Sequence, residues 1–478
     1  MLFNSIEFLL FLPVVFLLYW FVFNKNLKIQ NSLILVSSYV FYGWWDYRFL
    51  SLIFLSTIVD YIIGLNIPKQ DSEKKQKLLL WCSVLFNLSV LGFFKYYNFF
   101  VDSWIELFSS FGYEIKSVWT LNIILPVGIS FYTFQTMSYT IDIYKKKLDP
   151  TKDFISFASF VSFFPQLVAG PIERATNLLP QILNKREFNY EQGVQGLRLI
   201  LWGMFKKVVV ADSLAPIVND IFNNYQDFGG VTLWLGAIYF AFQIYCDFSG
   251  YSDIAIGTSK LFGFELMSNF KFPYFSRNIG EFWRRWHISL STWFRDYLYI
   301  PLGGSQEGKW KSIRNIFIIF LVSGFWHGAN WTFIFWGLFH SILFIPSFIF
   351  NSNRKYTTSI VAENRLLPTP KEFLQVGITF ILVTIGWIFF RSETLLDSFR
   401  YIINLFIMED KIHINPYNNM ISIFYFLYII IILIIEYIMS KSLILNRLKS
   451  TILIIILILT ILFFLPINSG AEFIYFQF

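Results

Sequence analysis

The sequence predicts an all-α polytopic membrane protein, on three observations. Of its 478 residues, 56% are hydrophobic and only 14% are Asp, Glu, Lys or Arg, whereas water-facing globules carry about a quarter of charged residues. Mean hydropathy is +0.55. The 59 Phe, 26 Tyr and 16 Trp exceed what a soluble core needs, and Tyr and Trp in excess gather at membrane–water interfaces. A soluble enzyme, a disordered chain and a secreted disulfide scaffold are thereby excluded.

A membrane span takes about 20 mostly apolar residues. Such stretches run near 6–23, 30–45, 49–66, 78–98, 120–142, 154–170, 196–214, 231–246, 313–331, 333–350, 372–390, 420–439 and 451–467. Met1 to Glu7 has no basic residue and no small-residue cleavage site follows the first apolar run, so a retained first span is expected and no cleaved signal peptide. The early loops alternate: Lys25 and Lys28, then the nearly uncharged Trp44 to Arg48, then Lys69, Lys74, Lys75 and Lys77, then an acidic 101–116 stretch, then Lys145, Lys146, Lys147 and Lys152. Basic loops stay in the cytoplasm, which puts the N-terminus outside. Lys441, Arg447 and Lys449 before the last run put the C-terminus outside as well. Lys309, Lys311 and Arg314 precede the apolar stretch 315–350, and Arg354, Lys355, Arg365 and Lys371 follow it, so that stretch enters and leaves from the cytoplasm. This clustering accounts for the net charge of +7 better than a nucleic-acid surface does. Cys82 and Cys246 lie in apolar runs without metal spacing and read as free thiols.

The segment 247–312 differs from the rest. It mixes Asp247, Asp253, Arg284, Arg285, Arg295 and Asp296 with Trp, Phe and Gly and contains no clean span. Charge and irregular backbone at membrane depth are tolerated only inside protein or along a cavity. Re-entrant or interfacial helices are expected there. No internal repeat, low-complexity linker or soluble domain is visible, so residues 1–478 form one transmembrane domain in this reading.

Four histidines carry the chemistry to be weighed. His327, in Ser323-Gly-Phe-Trp-His327-Gly-Ala-Asn330-Trp, lies 13 residues past Arg314, a depth of about 20 Å at about 1.5 Å per helical residue. An imidazole there needs a polar partner or water. It is either a hydrogen-bonded tie between helices or a general base, the one side chain that takes a hydroxyl proton near neutral pH without strong tuning. Gly324, Gly328 and Ala329 remove bulk around it and would let a substrate approach. His287 sits in Phe282-Trp-Arg284-Arg285-Trp286-His287, followed by Arg295-Asp296. Those arginines suit either lipid headgroups or the phosphates of a nucleotide-based acyl donor. His340 reads as helix packing and His413 as a loop residue. No HExxH, Cys/His or GxSxG pattern appears, which removes zinc and classical serine hydrolases and leaves no metal site.

Several long motifs in order then carry a resemblance: Tyr245-Cys-Asp247-Phe-Ser-Gly-Tyr-Ser-Asp253-Ile-Ala-Ile-Gly257, Asn269-Phe-Lys-Phe-Pro-Tyr274, the run from Trp283 to Gly304, Phe325-Trp-His327-Gly-Ala-Asn-Trp, Leu125 to Gln135 and Phe164 to Ile172. With these the chain resembles the membrane-bound O-acyltransferase (MBOAT) family, nearest to the branch that serves alginate O-acetylation and teichoic-acid D-alanylation. The resemblance implies an MBOAT fold of about eleven transmembrane helices, with re-entrant helices around a central tunnel, in a bacterial inner membrane. The family's near-invariant histidine falls on His327 and its second motif histidine on His287. The implied reaction is acyl transfer, with no bound cofactor, from acetyl-CoA or a carrier-protein thioester on the cytoplasmic side. The acyl group, acetyl by kinship, passes to a hydroxyl for O-acylation of a cell-surface or exported polysaccharide. Trp286, Arg284, Arg285, Asn330, Arg295 and Asp296 are the implied donor- or oxyanion-binding residues. The tail 473–478, Phe-Ile-Tyr475-Phe-Gln-Phe, is either an aromatic membrane anchor or, by resemblance to FxYxxF endings, an acyl relay through Tyr475 to an extracytoplasmic SGNH-type acyltransferase partner. The alternatives are D-alanyl or other acyl transfer to teichoic acid or lipid and, in another class, a polytopic transporter.

Overall fold

The computed structural model describes residues 1–113, 120–168, 170–407, 416–440, 451–464 and 474, with 416–425 and 451–453 described by main chain alone. Every regular element among the described residues is helical. Among the described residues five helical runs are long and apolar enough to cross a membrane: Leu27–Lys69, Glu73–Ser110, Gly230–Leu261, Trp331–Ile349 and Pro370–Arg391. Shorter apolar helices include Ile6–Val22, Phe154–Leu167, Phe426–Ser440 and Ile454–Phe464. Large apolar side chains such as Ile6, Leu9, Phe21 and Leu459 lie exposed. That is the surface hydrocarbon covers, because in lipid the backbone is satisfied within each helix and the side chains need no polar contact.

Helix starts follow from capping residues. Ser5 accepts the Phe8 N–H at 3.3 Å, Asn26 accepts from Lys28 and Ile29, and Thr369 forms a reciprocal capping box with Glu372 behind Pro370. Two expected stretches are redrawn. The apolar run 120–142 becomes helical only at Ile129, because Gly128 takes φ 76° as the turn into Ile129–Tyr144. The acidic stretch expected to be a loop from 101 is helical through Ser110: Asp102 and Glu106, four residues apart, share one exposed helix face.

Two compact units are present. The first comprises Met1–Ile200 with Ile254–Met267. Its interior is tied by buried polar groups: the Trp20 indole donates to the Leu261 carbonyl at 2.8 Å, and the Arg186 guanidinium donates to Gln30 Oε1 and Asn31 Oδ1. Asp60 accepts from Ser83 Oγ at 2.5 Å and Asn87 Nδ2 at 2.8 Å. None of the sequence-predicted site residues belongs to this unit.

The second unit comprises Leu201–Asp253 with Ser268–Phe478. Residues 247–261, expected within the re-entrant segment, instead continue the 32-residue helix Gly230–Leu261; Asp247 and Asp253 are tolerated in it because each meets a lysine at 2.6 Å. Beyond Ser268 the chain is less regular, with two seven-residue helices, Ile279–Arg285 and Ile288–Phe294. The stretch 315–350 folds as an antiparallel hairpin, Lys309–His327 and Trp331–Ile349. A Cβ on Gly324 would meet the Phe333 carbonyl, and one on Gly337 the Phe320 carbonyl. The glycine expected to open room for substrate therefore serves helix contact, and the space beside Gly328 is filled by the Phe333 ring.

Candidate functional site

His327 is the last residue of the first hairpin helix and Asn330 caps the second, its Oδ1 accepting the Thr332 N–H at 3.0 Å. The Asn330 amide also donates to the Glu393 carbonyl at 2.9 Å. The imidazole, 4% exposed, is walled by Trp326, Trp336 and Phe390 at centroid distances of 5.0, 5.1 and 5.4 Å. A further ring neighbour is His287, 6.3 Å away. Forty positions apart in sequence, the two histidines share one aromatic chamber.

The local geometry of His287 explains how it arrives there. It adopts the left-handed conformation, φ 43° and ψ 56°, at the start of Ile288–Phe294, a state that costs a non-glycine residue roughly 1–2 kcal/mol. The surroundings enforce it. Asn269 accepts the Ile288 N–H on its carbonyl at 2.9 Å and the Ser289 hydroxyl on Oδ1 at 2.6 Å, and donates to Ser252 Oγ at 2.7 Å. Lys271 N–H donates to the Arg285 carbonyl at 3.0 Å, so strap and turn are held on both sides of the imidazole. Phe248 meets the His287 ring edge-on at 4.7 Å. Such a conformation persists at a buried non-glycine residue only because its surroundings over-determine it.

The other predicted residues separate. Arg284 donates to the Asn353 and Lys355 carbonyls. Arg285 donates to Glu281 at 2.7 Å and to the Lys271 and Ser359 carbonyls. Both braces hold the 353–359 loop. Trp286 is buried among Phe270, Phe282 and Trp387. Arg295 pairs with Asp296 at 2.7 Å and keeps 58% of its side chain exposed. It borders a cavity of about 290 Å³ that runs from exposed Arg295, Arg354 and Ser305 to buried Leu290, Phe320 and Ser323, the last one helical turn before His327. A larger groove of about 800 Å³, lined by Phe242, Phe380 and Ile430, is apolar; its two tyrosine hydroxyls, Tyr274 and Tyr437, donate to main-chain carbonyls. His340 lies in an aromatic cage of Trp283, Trp336 and Phe339, which agrees with a packing role. Among the described residues no group of three or more His, Cys, Asp or Glu could hold a metal. His413 and Tyr475 lie outside the described residues.

Sequence reasoning missed Asn269 and Arg354. Asn269 stood in a quoted motif as the one amide among aromatics, and that isolation was its signal; Arg354 was read only as a topological charge.

These features define a polytopic helical membrane protein with a buried pair of imidazoles at the turn of a hairpin. Residues 145–359 match the model of the membrane-bound O-acyltransferase family. A probable alginate O-acetylase of Azotobacter vinelandii is 42% identical over 86% of this chain and 79% of its own length. The peptidoglycan O-acetyltransferase of Helicobacter pylori is 36% identical over 84% of the chain and 79% of its own. The teichoic acid D-alanyltransferase of Streptococcus thermophilus is 30% identical over 56% and 68%. The chain belongs to the membrane-bound O-acyltransferase family and is an O-acyltransferase; a transporter is set aside by this kinship.

Proposed function

We propose that the protein passes an acetyl group from a cytoplasmic thioester, acetyl-CoA or an acyl carrier, across the bacterial inner membrane for O-acylation of an exported or surface polysaccharide. In this reading both termini lie outside. The observation that carries it is the pair of imidazoles 6.3 Å apart, with a cavity that reaches Ser323 one turn from His327.

The steps follow from that arrangement. The cavity takes the thioester arm, and Arg295 and Arg354 attract donor phosphates at its exposed end. His327 takes the proton of the attacking hydroxyl, whose oxygen adds to the thioester carbonyl. His287 donates a hydrogen bond to the oxyanion, a task for which Asn330 is less suited because its amide is engaged at both ends. Collapse expels the thiolate, which takes the proton back from His327. The acceptor in this reading is the Tyr475 hydroxyl, and an SGNH-type partner outside then moves the acyl group to the polymer. A phenol ester keeps the acyl group activated, so no external energy source is needed.

The test is labelled acetyl-CoA with the purified protein, followed by mass spectrometry of the C-terminal peptide. An adduct in the parent that is lost in Tyr475→Phe and in His327→Ala supports the scheme; an adduct that survives in either variant overturns its part of it. A D-alanyl thioester in a parallel reaction distinguishes the second reading, which the teichoic acid relative favours.

A further inference from the structure

The mechanism leaves one buried cluster of charges in the second unit unused. Lys206 and Lys207 sit inside the apolar run 196–214, yet their side chains are only 3% and 1% exposed. The chain winds there as a π-helix, Phe205–Ala211, a form common at functional sites, and the wider turn carries both lysines inward. Gly250 makes room for them, since a Cβ there would stand 2.8 Å from the Gly203 carbonyl and 3.1 Å from the Lys207 N. Lys206 Nζ meets Asp253 at 2.6 Å and Ser249 Oγ at 2.9 Å. Lys207 Nζ lies between two carboxylates, Asp212 Oδ1 at 2.7 Å and Asp247 Oδ1 at 2.6 Å.

The cluster holds more acids than bases. Asp247 shares its cation with Asp212, and its second oxygen is turned elsewhere: Oδ2 accepts the main-chain N–H of Ile474 at 2.6 Å, across 227 positions of sequence. Ile474 is 3% exposed and belongs to the same apolar core as Phe205, Leu457 and Ile461. A charge-assisted hydrogen bond to a buried N–H is among the stronger single contacts a carboxylate makes. It reads main chain, not side chain, so any residue but proline can be held.

We propose that Asp247, braced by Lys207 and Asp212, is a docking clamp that holds the C-terminal segment of the chain by its main chain at Ile474. The clamp is a positioning device. Its consequence for transfer rests on the reading of Tyr475, the next residue, as the acyl relay; the docking itself does not.

The test uses the full chain in nanodiscs with exposed Cys82 replaced (C82S) and a reporter cysteine, Gln477→Cys, at the tail. Maleimide labelling of the tail peptide is timed. Ile474→Pro deletes the N–H and is expected to speed labelling at least about tenfold, with Asp247→Asn acting in the same direction and Ile474→Val matching the parent. An unchanged melting midpoint in Ile474→Pro separates release of the tail from unfolding. Labelling of Ile474→Pro at the parent's rate overturns the clamp, as does a parent that labels as fast as an unstructured peptide. The Tyr475 acyl adduct is read on the same samples. Faster labelling with loss of adduct supports clamp and relay together; faster labelling with acyl transfer to acceptor undiminished leaves the clamp standing and sinks the relay.

Discussion

Two of the sets of ionisable side chains buried in the second unit are built on opposite plans. Among the described residues, Trp326, Trp336, Phe390 and Phe248 stand around His327 and His287. Around Lys206 and Lys207 stand three aspartates within 2.7 Å. An imidazole is neutral in one of its ordinary states and survives burial among aromatics, ready to exchange a proton with a substrate that enters. An ammonium has no such option near neutral pH, so it is buried only with its counter-charges. The first set is therefore open to chemistry and inexpensive to remove; the second is closed, and its members depend on one another for the fold.

That contrast predicts which loss each variant suffers. His327→Ala should lower acetyl transfer by roughly 10²–10⁴-fold, the usual contribution of a general base, with an unfolding midpoint close to the parent's. Transfer and calorimetry on the same preparation check this, and a large loss of stability would erase the distinction. Lys207→Met should do the reverse first, destabilising the protein by about 3–5 kcal/mol because two buried carboxylates lose their cation; denaturant unfolding in detergent reads it. A stable Lys207→Met protein would mean the cluster is not a closed set.

Asn269→Ala probes the strap that joins backbone strain to the site. Removing its amide strips the Ser252 and Ser289 hydroxyls of their partner, at about 1–3 kcal/mol, and should depress kcat more than it raises KM as the His287 turn relaxes. The smallest effect compares His287→Gly with His287→Ala. Both should lose transfer alike, yet the glycine variant should be more stable by about 1 kcal/mol, since only glycine holds φ 43° without strain. Equal stability of the two would show that the backbone there is not constrained.

Much of this was legible along the chain. That 315–350 enters and leaves on one side follows from one apolar stretch flanked on both sides by basic residues, whereas the position of His327 at the turn between its helices does not. Lys206 and Lys207 lie within the expected span 196–214 and drew no separate reading; Asp212 is near Lys207 in sequence, but Asp247 and Asp253 come from another helix. Residues 247–261 were read as re-entrant because Asp247 and Asp253 break the apolar pattern; with their lysines supplied from another helix, the pattern needs no break. The small residues near His327 looked like space, and they are the contact surface of the partner helix.

Composition, hydropathy and the position of charges depend on each residue's own affinity for lipid or water, and from them alone follow the helical membrane class and the apolar spans. The meeting of His327 with His287, the ion pairs Lys206–Asp253 and Lys207–Asp247 and the contact of Asp247 with Ile474 link residues 40 to 227 positions apart. Such meetings are decided by helix packing and by one left-handed backbone turn, and a partition preference read residue by residue carries no information about them.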